Sequence, residues 1–132
     1  MSPSWMERRG VTGLVELLSA TCALGWAAYV QMAAEPLGML PVYDVLSRYI
    51  PDRAWIAIAA ACGAAQVVAS MLNWRLFRFG AAFGALIWWK CLAVSLFNSG
   101  ESAPASMVYC TIALFNIPTI VLLRPRGRRT LR

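Results

Sequence analysis

The sequence predicts an all-α transmembrane fold: a four-helix membrane bundle with a short amphipathic interfacial helix in its first outer loop. Three observations carry this. Of the 132 residues, 60% are hydrophobic and 14% charged, whereas a soluble domain has about 45–50% apolar and about 25% charged residues. The apolar residues gather into four runs, each of roughly the 20 residues that cross a hydrocarbon core about 30 Å thick. Those runs also lack the polar face that a helix needs in water.

The elements follow in order within a single domain. The first span covers residues 11–32. Arg8 and Arg9 precede it, as basic residues precede a secretory signal, but the run is longer than the 7–15 residues of a signal core, so it reads as a retained span. The first loop contains PVYDVLSRYIP, residues 41–51. There Val42, Val45, Leu46, Tyr49 and Ile50 recur at helical spacing, with Asp44, Ser47 and Arg48 on the other side. That pattern predicts a short helix, too short to span, lying on the outer surface or capping the bundle. The second span covers residues 54–72, with Asp52 as its cap, Trp55 at the interface, and Asn73 and Trp74 closing it. A very short turn leads to the third span, residues 79–97, so these two helices form a tight antiparallel hairpin. The fourth span covers residues 104–123, with Ser102 as cap and Pro104 in the first turn, where a missing N–H is harmless. Pro118, inside that span, predicts a kink. Residues 124–132 form a basic tail.

The net charge of +6 is clustered between apolar runs instead of spread over a face, which points away from nucleic acid and toward membrane orientation. Arg8 and Arg9 flank the N-terminus. Arg75 and Arg78 lie at the second turn. Arg124, Arg126, Arg128, Arg129 and Arg132 fill the tail. The first loop has Arg48 and Arg53 against Glu35, Asp44 and Asp52, and the third has only Glu101. Positive residues stay in the cytoplasm, which predicts cytoplasmic termini. At that side the arginines meet anionic headgroups.

Little in the chain suggests catalysis. Histidine is absent, and no triad, phosphate loop or carboxylate–base pair appears. Cys22, Cys62, Cys91 and Cys110 each lie inside an apolar run and far apart, reading as small hydrophobes and not as disulfides or a metal site. No enzyme activity, cofactor or metal is expected. The informative residue is Lys90, in GALIWWKCLAVSL near the middle of the third span, where a charge costs roughly 2.5–3.5 kcal/mol. Gln66 and Asn116 fall near the same depth, and Glu16 a turn or two away. These four predict an intramembrane polar belt. It acts either as glue between helices or as the lining of a path for ions or protons. Gly80 and Gly84 form a GxxxG pair, a packing face for helices within or between chains.

The pieces LVELLSATCALGWAAYV, PVYDVLSRYIPDRAW and FRFGAAFGALIWWKCLAVSLF, with the basic tail, resemble small four-helix membrane proteins of tailed phages and prophages, often labelled holin-like. That resemblance implies a non-enzymatic protein that self-associates in the host inner membrane and opens it to lysis enzymes. The alternatives are a small ion, proton or solute transporter or channel, and an accessory subunit of a larger membrane complex. Small multidrug-resistance transporters share the four spans and a first-span glutamate, but their loop is simpler and Lys90 has no counterpart there. The expected partners are membrane lipids and either further copies or another membrane protein. In all of these readings the chain should stay in the membrane fraction through an alkaline carbonate wash, and release into the wash would overturn the fold class.

Overall fold

The computed structural model describes residues 5–33, 43–99 and 103–123. It contains α1 (Trp5–Met32), α2 (Asp44–Ser47), α3 (Asp52–Leu72), α4 (Arg75–Ser99) and α5 (Ala103–Leu123), and no strand among the described residues. Four stretches are long and apolar enough to cross a membrane: Thr12–Met32, Asp52–Leu72, Arg75–Ser99 and Pro104–Leu123. They match the four expected spans to within a few residues.

The helix ends have local causes. α1 is broken at Gly10, whose φ of 57° and ψ of −158° lie where only glycine is comfortable, so the Trp5–Arg9 stretch leaves the axis of the span. Asp52 is not the cap expected of it. Extended Pro51 holds that position without a side-chain cap hydrogen bond, and Asp52 sits in the first turn beside the positive end of the helix dipole. Asn73 ends α3 in the left-handed conformation (φ 54°), its N–H donating to the Ala69 carbonyl at 3.1 Å. α4 starts two residues later, which gives the tight hairpin. α5 continues as one helix through Pro118, so the kink expected there does not interrupt it. Ser102 and the tail arginines Arg124, Arg126, Arg128, Arg129 and Arg132 lie outside the described residues, as do the side chains of Arg8 and Arg9.

The long helices pack in the cyclic order α1–α3–α4–α5, with α1 and α5 closing the ring. Successive helices are antiparallel, and α1 faces α4 across one diagonal while α3 faces α5 across the other. Small residues bring α1 and α3 together: Ala20, Ala23 and Ala59 are fully buried. A Cβ on Gly63 would stand 2.7 Å from Leu24 Cγ and 3.1 Å from the Ala20 carbonyl oxygen. Aromatic rings fill the end of the bundle where α3 begins. Trp26 meets Trp88 edge-on at 5.3 Å, Trp55 lies 5.5 Å from Trp88, and Trp89 lies 5.4 Å from Tyr109.

The first loop closes over that end. Of the helix expected across residues 41–51, the described part holds the single turn Asp44–Ser47, and residues 41 and 42 lie outside the described residues. Leu46 is buried, and its carbonyl accepts the Trp55 indole N–H at 2.9 Å. The Tyr43 hydroxyl accepts from Trp26 Nε1 at 3.4 Å and lies 3.5 Å from the Tyr109 hydroxyl.

The distribution of side chains is inverted relative to a protein in water. Glu16, Gln66, Asn116 and Thr119 are at most 2% exposed. Leu18, Met71, Phe83, Ile87, Phe97 and Val121 face outward. Such a surface is stable where hydrocarbon is the solvent.

The close contact at Gly63 gives a direct test. Gly63→Ala should destabilise the bundle by about 1–3 kcal/mol, the range for overpacking. Gly80→Ala and Gly84→Ala, with nothing within 4 Å of the added carbon, should not. Denaturation of each variant in mixed detergent, followed by tryptophan fluorescence, measures the difference.

Candidate functional site

The buried polar groups form two clusters between the α1–α4 diagonal and the α3–α5 diagonal. The first centres on Arg78, one turn into α4 and only 6% exposed. Its Nε donates to both Glu16 carboxylate oxygens at 3.1 Å, and its Nη2 lies 3.0 Å from Glu16 Oε1. Nη1 donates to Asn73 Oδ1 at 3.1 Å and Nη2 to Thr12 Oγ1 at 3.1 Å. The guanidinium fork engages a carboxylate, an amide and a hydroxyl from α1 and the α3–α4 turn. A point-charge lysine could not reproduce that planar fork.

The second cluster lies deeper. Gln66 Nε2 donates to Asn116 Oδ1 at 2.9 Å across the α3–α5 diagonal. Asn116 Nδ2 donates to Ser19 Oγ at 3.2 Å and to the Ile112 carbonyl at 3.0 Å. Ser19 Oγ also accepts the Trp89 indole N–H at 3.1 Å. All four helices are thereby tied by one amide–amide–hydroxyl–indole chain. Among the described residues, four buried side-chain atoms have no partner: Gln66 Oε1, Thr119 Oγ1, Trp88 Nε1 and Ser95 Oγ.

The expected belt is therefore half realised. Gln66 and Asn116 meet as anticipated. Lys90 does not join them. It is exposed and falls in the outward stripe Phe83, Ile87, Lys90, Val94 and Phe97, spaced by three or four residues. The inward stripe of α4 is Arg78, Ala82, Ala85, Trp89, Leu92 and Leu96. Lys90 follows Trp89 by one residue, about 100° around the axis, which turns it off the inward face. The partner of Glu16 is Arg78, which is accordingly buried and not a surface topology anchor. Arg75 does lie at the helix end, donating to the Leu122 and Leu123 carbonyls at 3.2 and 3.3 Å and so capping α5. A Cβ at Gly80 or Gly84 would meet nothing within 4 Å among the described residues, whereas Gly63 seats α3 closely against Leu24 and Ala20 of α1.

Sequence reasoning missed Ser19, Thr12, Asn73 and Trp89. The signal was present in part: Thr12, Glu16 and Ser19 share one face of α1, and Gln66 and Asn73 share one face of α3. Among the described residues no group of His, Cys, Asp and Glu could hold a metal ion. The arrangement binds helices to one another and leaves two unpartnered acceptors, Gln66 Oε1 and Thr119 Oγ1, beside the chain of bonds.

The fold and this site define the class as a multi-pass helical membrane protein. Comparison with protein-family models, with curated proteins and with solved structures finds no match to the chain.

The Glu16–Arg78 pair should behave as a buried charge pair. Glu16→Gln or Arg78→Gln alone should cost about 3–5 kcal/mol, because each leaves an uncompensated charge or donor set. The double variant should recover part of that loss. Across the second cluster, a cycle of Gln66→Leu and Asn116→Leu should give a coupling of about 0.6 kcal/mol and at most about 1.7 kcal/mol. Strict additivity in either cycle would remove the corresponding contact from the account.

Proposed function

We propose that this chain is a non-enzymatic, phage-type protein of the bacterial inner membrane, holin-like, with cytoplasmic termini, acting by self-association in the bilayer. The observation that carries the reading is the outer face of α4. Gly80, Gly84, Ile87 and Cys91 lie along it at helical spacing, and a Cβ added at either glycine would meet nothing within 4 Å among the described residues. A small-residue seam with nothing seated on it allows a second helix to approach closely. Sidedness is supported by the weight of arginine at both termini and the α3–α4 turn, against the acidic loops at the other end.

The route differs from one in which the inner belt opens. In this route the Gln66–Asn116–Ser19–Trp89 bonds and the Glu16–Arg78 pair stay closed. Association through α4 instead brings the Lys90 side chains of neighbouring copies toward one another. Like charges in hydrocarbon repel strongly, and water entering between the copies relieves that repulsion. A lesion of this kind forms between bundles.

One further reading has an observation behind it. A small transporter or channel would use the unpartnered Gln66 Oε1 and Thr119 Oγ1 as acceptors for a passing proton or solute. In that case Gln66→Leu abolishes flux while the chain remains monomeric.

Cys91 is exposed, whereas Cys22, Cys62 and Cys110 are partly buried, so the natural sequence carries its own reporter. Mild oxidation of membranes should yield a disulfide-linked dimer that Cys91→Ser removes and that Gly80→Leu with Gly84→Leu suppresses. Induced expression in bacteria should collapse the membrane potential abruptly, and the double leucine variant should not. Harmless accumulation at high level, with no cross-linked species, would sink the proposal.

A further inference from the structure

The centre of the bundle changes character between its two polar clusters. At the level of Gln66 and Asn116, two long amide side chains reach across the α3–α5 diagonal and meet at 2.9 Å. One step nearer the α3–α4 turn, the same inward faces carry short side chains. Ser70 follows Gln66 by four residues on α3, and Thr119 follows Asn116 by three on α5. These two helices run in the same direction, so the steps are about 6 Å and about 4.5 Å at 1.5 Å per residue. Ser70 and Thr119 therefore share a level, and they are too short to span a diagonal that two amides fill. On the inward face of α4, Ala82 and Ala85 separate Arg78 from the Trp88–Trp89 pair, and both alanines are fully buried. A ring of small residues thus lies between the Arg78–Glu16 layer and the Asn116–Ser19–Trp89 layer.

Two oxygens border this ring unmatched. Gln66 is 1% exposed and Thr119 0%, and neither Gln66 Oε1 nor Thr119 Oγ1 has a partner among the described residues. Turning the Gln66 amide over only exchanges one orphan for another, Nε2 for Oε1. Dry, such groups are costly, and in proteins internal water ordinarily meets them. A metal cation would need more oxygens than these two, and the Glu16 carboxylate, one layer away, is held by Arg78.

We propose that this level of the bundle holds an internal water molecule, donating to Gln66 Oε1 and hydrogen-bonded to the Thr119 hydroxyl. Water is small enough for a space bounded by Ser70, Ala82, Ala85 and Thr119, and it can serve two orphaned oxygens at once. The site is closed: Arg78 with Glu16 bounds it on one side, and Trp89 with Asn116 on the other. The molecule is resident, which distinguishes the site from a path for a solute. It belongs to the single chain and does not depend on self-association through α4. With it, α3 and α5 are tied by two rungs, the direct Gln66–Asn116 bond and a Gln66–water–Thr119 bridge.

Water-edited solid-state NMR of the full chain in phosphatidylcholine–phosphatidylglycerol bilayers tests this. Magnetisation should pass from water to the assigned Gln66 Cδ signal and not to Leu92, which is equally buried and apolar. Thr119→Val keeps the side-chain shape and removes the hydroxyl, so the Gln66 transfer should be lost; Thr119→Ser should keep it. Stability gives a second readout, whose sign separates wet from dry. Were the hydroxyl dry, Thr119→Val would remove an orphan and raise stability. With water bridging it, the folded-to-unfolded ratio of Thr119→Val in mixed detergent should fall about five-fold. A silent Gln66 signal in the wild type overturns the proposal, as does a Thr119→Val variant at least as stable as the wild type. Equal transfer to Leu92 and Gln66 would mean a generally wetted interior and overturns it too.

Discussion

The absence of water from a bilayer interior is the constraint on which this bundle depends, and Arg78 is where it acts most severely. A guanidinium does not lose its charge in a protein. Because Arg78 is buried inside the bundle, the fold must bring a carboxylate, an amide and a hydroxyl to meet it. Glu16, Asn73 and Thr12 come from α1 and the α3–α4 turn. Matching them fixes the rotation of α1 and α4 about their axes and the register between them. Deeper in the bundle, Asn116 imposes the same requirement more gently, and Gln66, Ser19 and Trp89 satisfy it. Apolar packing alone would leave these rotations weakly specified, because lipid tails are as apolar as the side chains that would face them.

The two ends of the bundle are built differently. Toward the α3–α4 turn, polar side chains make the cross-helix contacts. Toward the start of α3, the stack of Trp26, Trp55 and Trp88 makes them, with Tyr43 and Leu46 of the first loop closing over it. Indole and phenol groups suit that end, since each offers a large apolar face and one polar atom for the boundary with water. The loop is part of the core there, through the Trp55 bond to the Leu46 carbonyl. Its placement against α3 and α4 also creates a lateral groove beside Lys90.

Lys90 and Arg78 show how two cations in one helix can have opposite fates. They are twelve residues apart on α4. Arg78 belongs to the inward stripe and is neutralised by its own chain. Lys90 belongs to the outward stripe and is exposed, with no hydrogen bond or ion pair among the described residues. The neighbouring Gly80, Gly84 and Cys91 lie on the same side, so contact-forming potential is concentrated on one helix.

What the sequence determined by itself was the set of spans. Span length and scarcity of charge are local properties, summed along a run, and they need no knowledge of neighbours. For the same reason the short α3–α4 turn, the closure of α3 at Asn73 and the approximate depth of Gln66 and Asn116 were legible. The tertiary structure alone decided which face of each helix points inward. In water, the apolar stripe announces the buried face; here both faces are apolar, and the buried one is marked by small and polar residues instead, a weaker signal. Lys90 was placed by depth, and depth could not reveal that it stands one residue out of phase with Trp89. Arg78 looked like a surface anchor because its counter-charge, Glu16, lies 62 positions earlier in the chain, and only the packing of α1 against α4 brings the two together.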